Sequence, residues 1–219
     1  MNIDALLQAE THFFQRYPGG FAHPDLLVTL KKHRVEKMVA QTQEDFAQTS
    51  FVHTEEVLQN WIKIVGRSSM VSLFEKPKFK DCINSLSAQD KTLAGEGLYD
   101  QLHGDPELGL TTLVSLFARH KMAKWTLLSL VPAYYRPSVE VFIKPTTAKG
   151  VIAHFDLPGL VYHSRPSWLF YQAYRSELNA MKELVDINLS PNNAAFSGFL
   201  MMSLPKAQSV GQRGSSAAS

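Results

Sequence analysis

The chain has 219 residues and a single cysteine, Cys82, so no internal disulfide can form. A lone cysteine excludes the disulfide frameworks of small secreted domains and is typical of proteins in a reducing compartment. Residues 1–10 lack the basic start and the long apolar run of a secretory signal peptide. We therefore expect a cytoplasmic protein.

Long apolar runs are also absent. The most apolar region, residues 108–135, is interrupted near its middle by Arg119, His120, Lys121 and Lys124. Its uninterrupted pieces are far shorter than the roughly 20 residues that a bilayer-crossing helix needs. We therefore predict a soluble protein with no membrane partner.

The sequence lacks the common signatures of catalytic and metal sites. It contains no Gly-x-Ser-x-Gly elbow, no His-Glu-x-x-His pair and no glycine-rich phosphate loop followed by Lys-Ser or Lys-Thr. None of its eight histidines lies four residues from another. We predict no metal, no cofactor and no catalytic residue, which favours a non-enzymatic protein. Activity assembled from scattered residues stays open.

Helical periodicity dominates what is present. Apolar residues recur at spacings of three and four through most of the chain, and Ser87 followed by Asp90 has the form of a helix N-terminal cap. The one strand candidate is residues 138–144, which could instead form a helical turn. We predict a mainly α fold, an irregular multi-helix bundle of about eight to ten helices with at most one or two short strands.

The same patterns predict how the chain is divided. Residues 1–204 form one compact helical domain, with 132–137 as a possible seam between subdomains. The core is expected around residues 108–131, as one long helix or two end to end, and around a last helix capped by Ser190. Residues 205–219 have the composition of a disordered tail.

Charge is distributed unevenly between the two halves. Residues 1–110 contain 11 Lys and Arg against 15 Asp and Glu, whereas residues 111–219 contain 11 against 5. Net charges of −4 and +6 suggest an anionic partner for the second half. The alternative is that the two halves neutralise each other across an internal interface.

Residues 134–182 carry the strongest indication of a binding surface, a basic and aromatic face that contains a helix–turn–helix-like segment at 146–175. Lysine and arginine neutralise phosphates, threonines at a helix start donate to them, and aromatic rings stack on bases. The alternative is that the rings are core and only the arginine heads reach water. The candidate nucleic-acid or anion-binding residues are Lys144, Thr146, Thr147, Lys149, Arg165, Trp168, Tyr171 and Arg175.

Three functions follow as hypotheses. The first is a nucleic-acid-associated binding protein that uses residues 134–182. The second is a non-catalytic interaction or adaptor module with a protein partner, and the third is a protein that binds a small anionic ligand near Lys144, Thr146, Thr147 and Arg165. The sequence does not determine the oligomeric state.

Overall fold

The computed structural model describes residues 1–205, with the backbone but not the side chains of residues 29–32. No strand occurs in this part of the chain, so the predicted mainly α multi-helix fold is confirmed. Short 3-10 helices lie at Gly20–Ala22, Gln48–Val52 and Ile187–Leu189. The α-helices in chain order are α1 (Ile3–Arg16), α2 (Pro24–His33), α3 (Val35–Asp45), α4 (Thr54–Arg67), α5 (Glu75–Ser85), α6 (Ala88–His103), α7 (Pro106–Ala118), α8 (Trp125–Leu128), α9 (Leu130–Tyr135), α10 (Pro145–His154), α11 (Trp168–Lys182) and α12 (Asn193–Ser203).

Helices α6 and α7 form a tightly packed antiparallel hairpin. Ser87 caps α6 as predicted, because its Oγ accepts a hydrogen bond from the Asp90 amide at 3.1 Å. Asp105 caps α7 in the same way, and Pro106 occupies the first helical position. Gly109 permits the close approach, since a side chain there would collide with the backbone of Gln101. The hairpin therefore gives the bundle a rigid pair of helices.

Residues 108–131 form neither the one long helix nor the two end-to-end helices predicted, because α7 ends at Ala118 and two short helices, α8 and α9, follow. The chain turns at Lys121, whose backbone is left-handed with φ 57°. Pro132 lies third in α9 and does not interrupt it. An amide at that position has no partner inside the helix, so proline is tolerated there.

Aromatic side chains fill the interior at several helix crossings. Trp61 of α4 packs edge-on against Phe79 and Phe117, with ring centroids 5.2 and 5.6 Å away. Phe13 of α1 meets Phe199 of α12 at 5.3 Å. Large buried rings of this kind remove much apolar surface from water and dominate core stability.

The last helix begins later than predicted. Asn192, not Ser190, is the N-cap, and its side chain accepts from the Ala195 amide at 2.9 Å. Asparagine is as good a cap as serine, so the two signals compete and tertiary packing decides between them. The predicted disordered tail at 205–219 lies outside the described residues, apart from Pro205. The single domain at 1–204 and the seam at 132–137 stay predictions.

Candidate nucleic-acid interface

The helix–turn–helix-like segment at 146–175 does not form. Residues 155–167 separate α10 from α11, whereas the turn of that motif has about three or four residues. Asp156 and Gly159 both adopt left-handed backbone in this connection, with φ 47° and 72°. The connection is a folded loop, so residues 146–175 lack the short turn that defines the motif.

A buried carboxylate, Glu140, organises the second half of the predicted basic face. Only 3% of Glu140 is exposed. Arg175 Nη1 donates to both carboxylate oxygens at 2.9 and 3.0 Å, and the Tyr171 hydroxyl donates to Oε2 at 2.9 Å. Arg136 Nη2 lies 3.2 Å from Oε1. A buried carboxylate is stable only with such partners, so these groups form one internal unit.

Arginine 175 is also enclosed by aromatic rings. Its guanidinium lies 5.5 Å from the ring centroid of Trp168 and 5.7 Å from that of Tyr171. The face of an aromatic ring attracts a cation at this distance. Arg175 is thereby held between Glu140 and two rings, and its charge is directed into the protein.

Tyrosine 171 lies in the core. It is 2% exposed, so its ring has no face free for a nucleic-acid base. Burial raises the pKa of its phenol well above the usual value, and the negative charge of Glu140 raises it further. Tyr171 therefore stays protonated and acts as a hydrogen-bond donor. Tyr171 therefore matches the alternative interpretation, in which the rings are core, whereas Arg175 does not, because its guanidinium pairs with Glu140 and does not reach freely into water.

A second group of side chains holds the backbone next to Glu140. Asn193 Nδ2 donates to the Glu140 carbonyl at 3.1 Å, Asn179 Nδ2 to the Val139 carbonyl at 2.9 Å, and Lys182 Nζ to the Ser138 carbonyl at 2.7 Å. These bonds satisfy carbonyls that a strand would pair with another strand. The strand predicted at 138–144 does not form, because residues 137–139 make a turn and residues 140–144 have no regular secondary structure.

The cations on the α10 side have a different environment. Lys144, Lys149 and Arg165 are all exposed. Within residues 1–205, none of them has a carboxylate oxygen within 4 Å of its charged nitrogen atoms. The Lys149 ammonium lies 5.0 Å from the ring centroid of Tyr162. This contact places Lys149 beside the loop that carries Arg165.

The start of α10 adds hydrogen-bond donors to this side. Lys144 is the N-cap residue and Pro145 the first helical residue, and no side chain caps the helix. Thr146 is exposed and Thr147 half-buried. Thr146 and Lys149 are three residues apart and so share one helix face. The amides of Thr146 and Thr147 belong to the first turn, where N–H groups have no partner inside the helix and favour an anion.

Other chemistry receives little support from the described part of the chain. No three His, Cys, Asp or Glu side chains cluster as metal ligands would, and no helix is long and apolar enough to cross a membrane. Cys82 is free and buried, and burial raises the pKa of its thiol. A raised pKa reduces the thiolate fraction on which cysteine nucleophilicity depends.

Six of the eight predicted site residues thus fall into two groups, and the other two, Thr147 and Trp168, are half-buried. Lys144, Thr146, Lys149 and Arg165 are exposed, whereas Tyr171 and Arg175 belong to the Glu140 unit. Sequence reasoning missed Glu140, Asn179 and Asn193, which hold that unit together. The one available signal was the spacing of four between Arg136 and Glu140.

Comparisons with protein-family models, with curated proteins and with solved structures gave no match.

Proposed function

We propose that this protein binds nucleic acid through the exposed cations on the α10 side, Lys144, Lys149 and Arg165. The observation that supports the proposal is the contrast in pairing. Arg175 and Arg136 both pair with Glu140, while these three side chains face water without a carboxylate in contact among residues 1–205. Exposed and unpaired cations are available to replace the counterions of a phosphate backbone.

The exposed cations suit contact with the phosphate backbone of a nucleic acid better than sequence-specific contact with its bases. Lysine and arginine heads, together with the threonines at the start of α10, are groups that contact phosphates and carry no sequence information by themselves. Trp168 is half-buried and Tyr171 is buried, so the aromatic surface for stacking is small. We therefore propose binding that depends strongly on salt and weakly on sequence.

Fluorescence anisotropy with labelled duplex DNA, single-stranded DNA and RNA across a salt series tests the proposal. Wild type is expected to bind at low salt and to lose affinity steeply as salt rises. Lys149→Ala/Arg165→Ala is expected to bind less tightly at every salt concentration. The control is Lys37→Ala, which removes an exposed lysine from α3. No binding to any of the three nucleic acids at low salt would contradict the proposal.

A small anionic ligand is a second candidate, because the uncapped start of α10 lies between Lys144 and Lys149. A ligand that binds the folded state raises its apparent stability. Thermal unfolding with inorganic phosphate and with nucleoside phosphates would then show a rise in Tm that Thr146→Val/Lys149→Ala reduces. A rise that is unchanged in this variant would contradict a site at this position.

A further inference from the structure

The loop between α4 and α5 exposes two adjacent large apolar side chains. Leu73 is 78% exposed and Phe74 is 83% exposed. Pro77, one turn further along α5, is exposed beside them. Side chains of this size are seldom left this open in pairs, and an exposed apolar group of this kind is typical of an interaction site.

The two side chains are held on a well-anchored loop. At its beginning, Ser68 is buried and its hydroxyl lies 3.0 Å from the Tyr134 hydroxyl. Val71 is buried in the middle of the loop, and the Ser72 hydroxyl accepts from the Glu75 amide at 3.3 Å. Leu73 and Phe74 lie between these anchors. Their exposure is therefore set by the fold on both sides of the loop.

Basic residues lie on the helix turns next to Leu73 and Phe74, which together form an apolar tip. Helices α4 and α5 are antiparallel, since Gln59 contacts Asn84 and Trp61 contacts Phe79. The last turns of α4 therefore lie beside the first turns of α5. The basic residues on these turns are Lys63, Arg67, Lys76, Lys78 and Lys80, against a single carboxylate in residues 63–80.

That carboxylate, Glu75, is already paired with side chains outside the hairpin. Glu75 Oε1 lies 3.2 Å from Lys124 Nζ, and Oε2 accepts from the Thr126 hydroxyl at 3.1 Å. Among the described residues, none of the five cations of this hairpin end has a carboxylate within 4 Å. The next acidic residue after Glu75 is the exposed Asp81, which follows Lys80. The hairpin end is thus positive although the first half of the chain is acidic overall.

We propose that the α4–α5 hairpin end docks on an anionic lipid surface, with Leu73 and Phe74 inserted between headgroups and the surrounding lysines and arginine on the lipid phosphates. The tip stands out into solvent, so it needs a deformable surface or a matching pocket. A bilayer interface accepts Leu and Phe, and its negative charge complements the cations. Such peripheral contact requires no membrane-crossing helix, and it revises the sequence-based expectation of no membrane partner.

Co-sedimentation of the full chain with lipid vesicles tests the proposal. The protein is expected to bind vesicles that contain phosphatidylserine, to leave pure phosphatidylcholine vesicles unbound, and to dissociate as salt rises. Leu73→Ser/Phe74→Ser is expected to reduce binding by about tenfold or more, because both side chains lose apolar surface to bury. Ile187→Ser is the matched control, since Ile187 is 72% exposed on another element.

A charge variant separates the electrostatic contribution. Lys76→Gln/Lys78→Gln is expected to weaken binding to the anionic vesicles by about tenfold, because each lysine near the lipid surface contributes. Lys149→Gln/Arg165→Gln is expected to change vesicle binding little, so that failure here and failure of nucleic-acid binding are distinguishable. Equal losses in the two charge variants would overturn the assignment to this hairpin.

Other occupants would give different results. Absence of binding to anionic vesicles at low salt, or equal binding to neutral ones, would overturn the proposal. So would a dimer in sedimentation equilibrium that Leu73→Ser/Phe74→Ser converts to a monomer, since the tip would then contact a second copy. Nucleic-acid affinity lost in the Lys76→Gln/Lys78→Gln variant alone would assign these lysines to a phosphate backbone and not to lipid.

Discussion

Helices α10 and α11 come from the same basic and aromatic segment, yet they use their cations in opposite ways. On α11, Arg175 turns inward to the buried Glu140 and between two aromatic rings. On α10, Lys149 faces water beside the Tyr162 ring, with no carboxylate partner in the described residues. The difference shows that a segment rich in positive charge leaves unpaired cations on the surface only where no buried acid pairs with them.

The largest expected difference between Arg175 and Lys149 is in their contribution to the free energy of unfolding. Arg175→Met is expected to lower the free energy of unfolding by about 3 kcal/mol, because Glu140 would keep only the partly exposed Arg136 as a cationic partner. Lys149→Met is expected to change it by less than about 1 kcal/mol, as an exposed cation contributes little. Urea unfolding measures both. Equal effects of the two substitutions would show that Arg175 is not a structural cation.

The hydroxyl of Tyr171 gives a smaller effect of the same kind. Tyr171→Phe keeps the ring but removes a hydrogen bond to a buried carboxylate, so a loss of about 1.5–2 kcal/mol is expected. Tyr174→Phe is the matched control, since burial is the only cause that raises the pKa of the Tyr174 phenol and no carboxylate contributes. Its loss is expected to be below about 0.5 kcal/mol. A Tyr171→Phe protein as stable as wild type would remove the hydroxyl from the Glu140 unit.

Alkaline pH tests the same tyrosines without substitution. Burial raises the pKa values of Tyr134, Tyr171 and Tyr174 in the folded state, whereas an unfolded tyrosine titrates near pH ~10. The unfolded state therefore loses protons first. The stability from these groups is complete below pH ~10 and decreases above it. For Tyr171 and Tyr174, whose pKa values are raised furthest, the loss is about 1 kcal/mol each over the next pH unit.

The measurement is the urea midpoint of wild type and Tyr171→Phe at a series of pH values on both sides of pH ~10. Wild type is expected to lose stability more steeply with rising pH, because it has one more buried phenol to ionise. Parallel curves for the two proteins would mean that Tyr171 titrates in the same way in the folded and unfolded states.

The sequence predicted local features better than distant contacts. Ser87 as a cap and the mainly α fold depend on neighbours within a few residues, and both are confirmed. The break after Ala118 was missed although Arg119, His120 and Lys121 interrupt the apolar run at that point. Pro132 was uninformative because proline is found in the first turn of a helix as well as after its end. The same limit applies at Asn192, where two adequate caps lie close together.

The candidate site was limited in the same way. Lys149 and Arg175 are both cations in the same basic and aromatic segment, and only the fold brings Glu140 next to one of them, Arg175. Glu140 pairs with a residue 35 positions away, a separation that no helical period encodes. Charge counting therefore identified the segment 134–182 but not which of its cations face water.

The most direct test of this division of cations is the salt dependence of nucleic-acid binding. For Lys149→Ala/Arg165→Ala, the slope of log affinity against log salt is expected to become shallower than that of wild type by about 2, one unit for each lost phosphate contact. An unchanged slope, or wild type that does not bind at low salt, would contradict the account that the exposed cations of the α10 side contact a phosphate backbone.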